Sequence, residues 1–141
     1  MAKRTRKSDC PIHAGLTVFG DAWTLIVVRD LLRGRNSFTE LANTNEGIAT
    51  NVLAERLARL EEDGIVTKEH LPGRGNPTRY ELTEKGLELL PILSAVAEWS
   101  LKHNPHSAET RAVMRTRKRE LLEGAEQVRT RLAGKKRKES P

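Results

Sequence analysis

The sequence predicts a mainly α-helical fold that carries one small β-hairpin, and three observations predict it. Leu, Ala, Glu and Arg are abundant, and such side chains lose little rotamer freedom in a helix. Apolar residues recur at three- and four-residue spacing along most of the chain. The exception is residues 65–82, where two short runs flank Pro72-Gly73-Arg74-Gly75-Asn76-Pro77, a composition that suits a turn. With 141 residues, 37% hydrophobic and 31% charged, the chain has material for one core and an appendage.

The elements follow in order. Cys10-Pro11 opens an apolar periodic stretch, Ile12, Leu16, Val18 and Phe19, with proline suited to a first helical turn and Gly20 to a stop. Asp21 is then the expected N-cap of a second helix through Trp23, Leu25, Ile26, Val27, Val28, Leu31 and Leu32. That helix is apolar on most sides and belongs at the centre. Ser37 and Glu40 have capping-box spacing, so a short third helix starts at Phe38, anchored by Phe38 and Leu41. After a polar loop over 43–47, residues 49–63 set Leu53, Leu57 and Leu60 on one stripe, and Gly64 supplies the stop.

Residues 65–71 and 78–82 are the expected strands. Thr83 caps a long helix through Leu87, Leu90, Leu93, Val96 and Trp99, kinked at Pro91, where proline removes an amide donor. Leu89, Leu90, Leu93, Val96 and Trp99 make a stripe longer than one small core covers, which predicts a homodimer joined by this helix and the first. Beyond Pro105, Val113, Leu121, Ala125, Val128 and Leu132 recur at helical spacing, so a helix is expected, with its dependence on a partner left open. The expected organisation is a basic arm (1–9), a folded domain (10–104), a charged helical extension (105–133) and a disordered tail (134–141).

The net charge is +6, but its distribution matters more than its sum. Residues 1–9 carry four bases and one acid, 105–141 eleven bases and five acids, and 10–104 ten bases and thirteen acids. Basic ends attract phosphate whatever its sequence, so base reading has to come from particular residues of the acidic middle. A nonspecific or architectural nucleic-acid binder acting through those ends is the alternative. No apolar run approaches the roughly 18 residues that cross a bilayer, and no signal-peptide core follows the basic start, so the expected location is the cytoplasm, away from membranes.

Three helices, a fourth reached through a short turn, and a hairpin with a basic loop are the order of a winged helix-turn-helix, whose partner is double-stranded DNA. At about 100° per residue from Leu53, the residues Asn51, Glu55, Ala58 and Glu62 project opposite the buried stripe, with Arg59 beside them and Arg56 nearer its edge. Asn and Arg there offer bidentate contacts to adenine and guanine, and Ala54 and Ala58 leave room for close approach. Thr50, Asn51, Glu55, Arg56 and Arg59 are the candidate readers. Arg74, between two glycines at the hairpin tip, suits a minor groove, and Arg79 suits phosphate. Glu61, Glu62 and Asp63 repel phosphate, so the helix is expected to enter by its N-terminal end, where its dipole also favours anions.

Eight successive stretches carry a resemblance: Cys10-Pro11, Gly20-Asp21-Ala22-Trp23-Thr24-Leu25, Arg29-Asp30-Leu31-Leu32, Phe38-Thr39-Glu40-Leu41, Gly47-Ile48, Val52-Leu53-Ala54-Glu55-Arg56-Leu57, Leu60-Glu61-Glu62-Asp63-Gly64-Ile65-Val66 and Tyr80-Glu81-Leu82-Thr83-Glu84-Lys85-Gly86. In that order the chain resembles the HxlR family from Cys10 to about Asn104. The resemblance implies a homodimer that binds an inverted-repeat operator; a transcription regulator is expected, with repression the expected direction and activation left open. Many relatives have Ser-Pro where this chain has Ala49-Thr50, which leaves the N-cap open, with Thr50 a candidate one residue later.

Cys10 is the single cysteine, so no intramolecular disulfide forms and a reduced state is the default. A helix start beside Arg6 and Lys7 favours a reactive thiol, and some relatives use such a cysteine as a sensor of oxidants or aldehydes; a small buried interface residue is the bland alternative. Cys10 with His13 and His103 with His106 have loose metal-ligand spacing at helix ends, and no metal or cofactor is expected. No phosphate loop, nucleophile elbow or paired carboxylates point to an enzyme. The gene targets and the signal that acts on the protein are not written in these residues.

Overall fold

The computed structural model describes residues 9–75 and 77–140; the basic arm expected over 1–9 lies outside them except for Asp9. Helices α1 (Pro11–Phe19), α2 (Thr24–Leu32), α3 (Phe38–Ala42) and α4 (Thr50–Glu62) precede strands β1 (Val66–His70) and β2 (Thr78–Leu82), and α5 (Glu84–Leu87), α6 (Leu90–His103) and α7 (Ala108–Glu139) follow. The result is a winged helix-turn-helix with further C-terminal helices.

Local chemistry sets most boundaries. Asp21 accepts from the amides of Trp23 and Thr24, each at 3.0 Å, and so satisfies the free donors at the start of α2. Ser37 Oγ accepts from the Glu40 amide at 3.1 Å, while the Glu40 carboxylate takes the Ser37 hydroxyl at 2.9 Å. α4 ends in a Schellman arrangement: Gly64 has φ +73°, its amide reaches Glu61 O at 3.1 Å, and the Ile65 amide reaches Leu60 O at 2.9 Å. The strands pair antiparallel from Val66↔Leu82 to His70↔Thr78. β2 is also fastened on its other side, where the Tyr80 amide donates to Asn36 O at 2.8 Å.

α2 is the centre, with Val27, Val28, Leu31 and Leu32 buried among Leu41, Leu53, Leu57, Leu60, Ile65, Tyr80 and Leu82. Two expectations need correction. The long kinked helix is two helices, broken at Glu88-Leu89, with Pro91 in the first turn of α6, where its missing amide costs nothing. The turn is tied down from outside: Gly86 packs so closely on the Ile65 carbonyl that a Cβ there would lie 2.4 Å from the oxygen.

The second correction concerns α7. It is one continuous helix of 32 residues, capped by Ser107 Oγ on the Thr110 amide at 3.0 Å. The centre of its stripe is covered within the chain, where Leu121, Ala125 and Val128 are buried in the same core as α2, while Val113 is 47% exposed. At Gly124 the helix lies against the Leu32 carbonyl, leaving no room for any side chain. Residues 134–139, expected to be disordered, continue the helix. Lys135 meets Glu81 at 3.0 Å, Lys136 meets Glu84 at 2.7 Å, and Arg131 meets Glu81 at 2.9 Å. Once the middle of a helix is docked, each added residue needs no new nucleus. Among the described residues no single helix is long and apolar enough to cross a membrane.

Candidate nucleic-acid interface

α4 starts at Thr50, with Ala49 as its N-cap in extended conformation and no side chain capping the turn. Thr50 is therefore the first helical residue and not the cap. No acidic residue stands in this first turn, so the leading amides and the positive end of the helix dipole meet no carboxylate there. Thr50, Asn51, Ala54, Glu55 and Ala58 are exposed, while Leu53, Leu57 and Leu60 bind the helix to the core. The periodic reading of α4 thus places the outward residues correctly.

Arg56 behaves differently from expectation. Its Nε donates to Asp21 Oδ2 at 2.8 Å, its Nη1 lies 3.1 Å from Glu55, and its side chain is only 17% exposed. The guanidinium points back into the protein and fastens α4 to the approach of α2, so it is a brace and not an outward reader. Burial opposes the charge of Asp21, but hydrogen bonds from Thr24, Arg56 and the Trp23 and Thr24 amides outweigh it and hold the carboxyl well below the usual range. Arg56 in turn is pushed up by the Asp21 carboxylate. Arg59 leans on Glu55 at 3.7 Å, an i, i+4 pair.

In the wing, Arg74 is exposed between Gly73 at φ +135° and Gly75 at φ +78°. Asn76 lies outside the described residues. Arg79 stands half-buried opposite Glu69 and borders a cleft of about 50 Å³ that α7 closes, together with Glu81 and Arg131. The two wing arginines therefore face different surroundings.

The expected dimer stripe is divided in the same way. Leu89 and Leu90 are buried inside the chain at 7% and 6% exposure, which removes them from any surface, and Leu93 packs partly on the core. Val96 and Trp99 are 54% and 62% exposed, as are Ile12 and Leu16 of α1 at 74% and 54%. Trp99 rests against the His103 ring at 5.1 Å. Trp23 packs partly on the core. Cys10 is exposed at the N-cap of α1. Among the described residues no three metal-ligating side chains come together.

Sequence reasoning missed Asp21 as the partner of Arg56, and it missed Arg29, Asp30 and Glu46. Arg29 forks onto Glu46 at 2.6 and 3.0 Å, in the turn that leads to α4. The signal was present: an Arg-Asp pair inside an otherwise apolar helix is costly unless both charges have partners.

The pattern of HxlR-like helix-turn-helix proteins matches residues 18–108, which ends where α7 begins. The HTH-type transcriptional regulator YvaP of Bacillus subtilis, itself uncharacterized, is 32% identical over 92 residues, 64% of this chain and 85% of that protein. Among solved structures, the redox regulator HypR in its reduced form is 31% identical with a TM-score of 0.61, covering 66% of this chain and 92% of that one. The reduced form of the transcriptional regulator YodB from B. subtilis is 29% identical with a TM-score of 0.60, covering 71% of this chain and all of that one.

Proposed function

The chain belongs to the HxlR-like helix-turn-helix family of DNA-binding transcription regulators, and from that premise we propose that it works as a homodimer that reads an inverted-repeat operator and represses transcription there. The observation that carries base reading is the entering turn of α4. Thr50 and Asn51 are exposed, and neither has a side-chain partner among the described residues. Asn51 is left with both an amide donor and a carbonyl acceptor, the pair that adenine matches in a major groove. Arg74 at the wing tip holds the backbone or a narrow minor groove, and Arg79 adds charge without reading bases. The exposed residues Ile12, Leu16, Val96 and Trp99 support two-fold pairing through α1 and α6.

Selection of binding sites from random duplexes tests this reading, followed by salt titration on the selected site and on a scrambled one. The expected result is a two-fold symmetric site whose preference survives rising salt. A nonspecific binder acting through basic ends loses affinity for both duplexes together, and that outcome sinks the proposal.

Cys10 is proposed as the point of response to oxidants or electrophiles. HypR is a redox regulator and YodB has also been solved with quinone bound, and in this chain the one cysteine is exposed at a helix start. Mild peroxide or a quinone is expected to weaken operator binding by the native protein and to leave Cys10→Ser unaffected. Equal responses from the two proteins remove the role.

A further inference from the structure

Asp30 is fully buried, at 0% exposure, inside α2, the helix with the most buried residues. A buried carboxylate is tolerated only with partners, and three guanidinium groups of neighbouring residues supply them. Arg29 Nε and Nη2 reach Oδ1 at 3.0 Å, whereas Arg35 at 3.8 Å and Arg33 at 4.0 Å are ion-pair contacts beyond hydrogen-bond reach, and Oδ2 accepts no hydrogen bond among the described residues. Two of these continue beyond Asp30. Arg29 reaches Glu46 through both Nη atoms, at 2.6 and 3.0 Å, and Arg35 Nη1 donates to the Asn43 carbonyl at 3.1 Å. Asn43 is the C-cap of α3, and Glu46 stands four residues before α4 begins. The turn of the helix-turn-helix is therefore gripped at both ends from one buried point on α2.

Energetics say what such a grip is for. The Glu46 side chain is 38% exposed, and an ion pair that wet contributes little to stability. A bidentate fork does, however, fix direction, because the guanidinium plane and the carboxylate plane have to match. The turn is closed from within as well, by the Gly47 amide on Thr44 O at 3.2 Å and the Ile48 amide on Thr44 Oγ1 at 3.3 Å. Ile48, 5% exposed, then plugs the core immediately before α4. These contacts hold both ends and the middle of the turn that joins α3 to α4.

Resting on the reading of α4 as the base-reading helix, we propose that Asp30, acting through Arg29 and Arg35, and Glu46, the exposed end of that chain, are positioning residues that set operator specificity without touching DNA. A base-edge contact depends on side-chain geometry, so a turn free to shift degrades all the contacts of the entering turn at once. Removing one reader relaxes one position of the site. Releasing the turn blurs every position that α4 reads.

The test is site selection and competitive binding with full-length Glu46→Gln and Glu46→Ala proteins, beside Asn51→Ala, with thermal melting of each. The Glu46 variants are expected to melt within about 2 °C of wild type, since the pair is exposed. Their ratio of operator to random affinity is expected to fall by about tenfold or more, with preference flattened across the half-site. Asn51→Ala flattens one position only. A wild-type chain that does not discriminate between sequences overturns both this inference and the function it rests on. A wild type that discriminates, beside Glu46 variants that select the same site as sharply, overturns this inference alone.

Discussion

The first turn of α4 and the turns that follow it are made of similar residues and put to opposite uses. Thr50 and Asn51 face outward without side-chain partners among the described residues, whereas Glu55, Arg56 and Arg59, only a turn further on, are joined to one another and to Asp21. The α6 stripe divides along its length in the same manner: Leu89 and Leu90 lie in the core, and Val96 and Trp99 lie outside it. In both cases a single periodic pattern is divided, one part holding the chain together and the other left exposed. A helical wheel shows the stripe and is blind to the division.

The strongest way to break the comparison is charge placed on each part of the α6 stripe. Leu90→Glu buries an unpaired carboxylate and is expected to cost about 3–5 kcal/mol, seen as a lower urea midpoint or loss of folding. Trp99→Glu with Val96→Glu is expected to keep the fold and the circular dichroism of wild type while sedimenting as a monomer. Dimers from that double variant would place the interface elsewhere.

On α4 the expected effects are smaller. Asp21→Ala strips partners from the Trp23 and Thr24 amides, the Thr24 hydroxyl and Arg56, and is expected to lower stability by about 2–3 kcal/mol in denaturant unfolding. It weakens operator and random DNA together at temperatures near its melting point. Asn51→Ala is expected to melt as wild type does and to lose about 1–3 kcal/mol on the operator alone. If the two variants exchange these phenotypes, the division drawn within α4 is wrong.

The smallest effect is one of pH. Hydrogen bonding to Arg29, with backbone and Coulombic support, lowers the Glu46 carboxyl to about 2 against a usual 4.5. A carboxyl depressed in the folded state contributes its stability, small here because solvent screens the pair, above its unfolded value and loses it as pH falls towards the folded one. The fork is therefore expected to persist at pH 4 and to open near pH 2, a window readable from the side-chain carboxyl shift of Glu46 by NMR. Titration near 4.5 would show that Glu46 is not held by Arg29.

Legibility in the sequence followed the range of the interactions. Ser37 with Glu40 and Gly64 after Glu62 act within a turn of the backbone, and the helices they bound were predicted to within a residue. The wing was legible because its Gly and Pro residues act locally. Arg56 was misplaced because its partner stands 35 residues earlier, at a distance no periodicity reports. The break between α5 and α6 depends on Gly86 meeting the Ile65 carbonyl, again a contact across the fold. Residues 134–139 looked too polar to order, yet the acids that hold Lys135 and Lys136 are Glu81 and Glu84, on another element. Composition counts charges and does not say which of them meet.

The docking of α7 also has a meaning in time. Leu121 follows Leu32 by about 90 residues, so at a synthesis rate of roughly 5–20 residues per second the side of α2 that α7 covers stays open for about 5–20 s after α2 itself is made. The slot it must find is cut to the width of Gly124 against a carbonyl oxygen. The nascent winged helix waits through that interval with part of its core uncovered, and a chaperone or another nascent chain has its opportunity there, before α7 arrives and closes it.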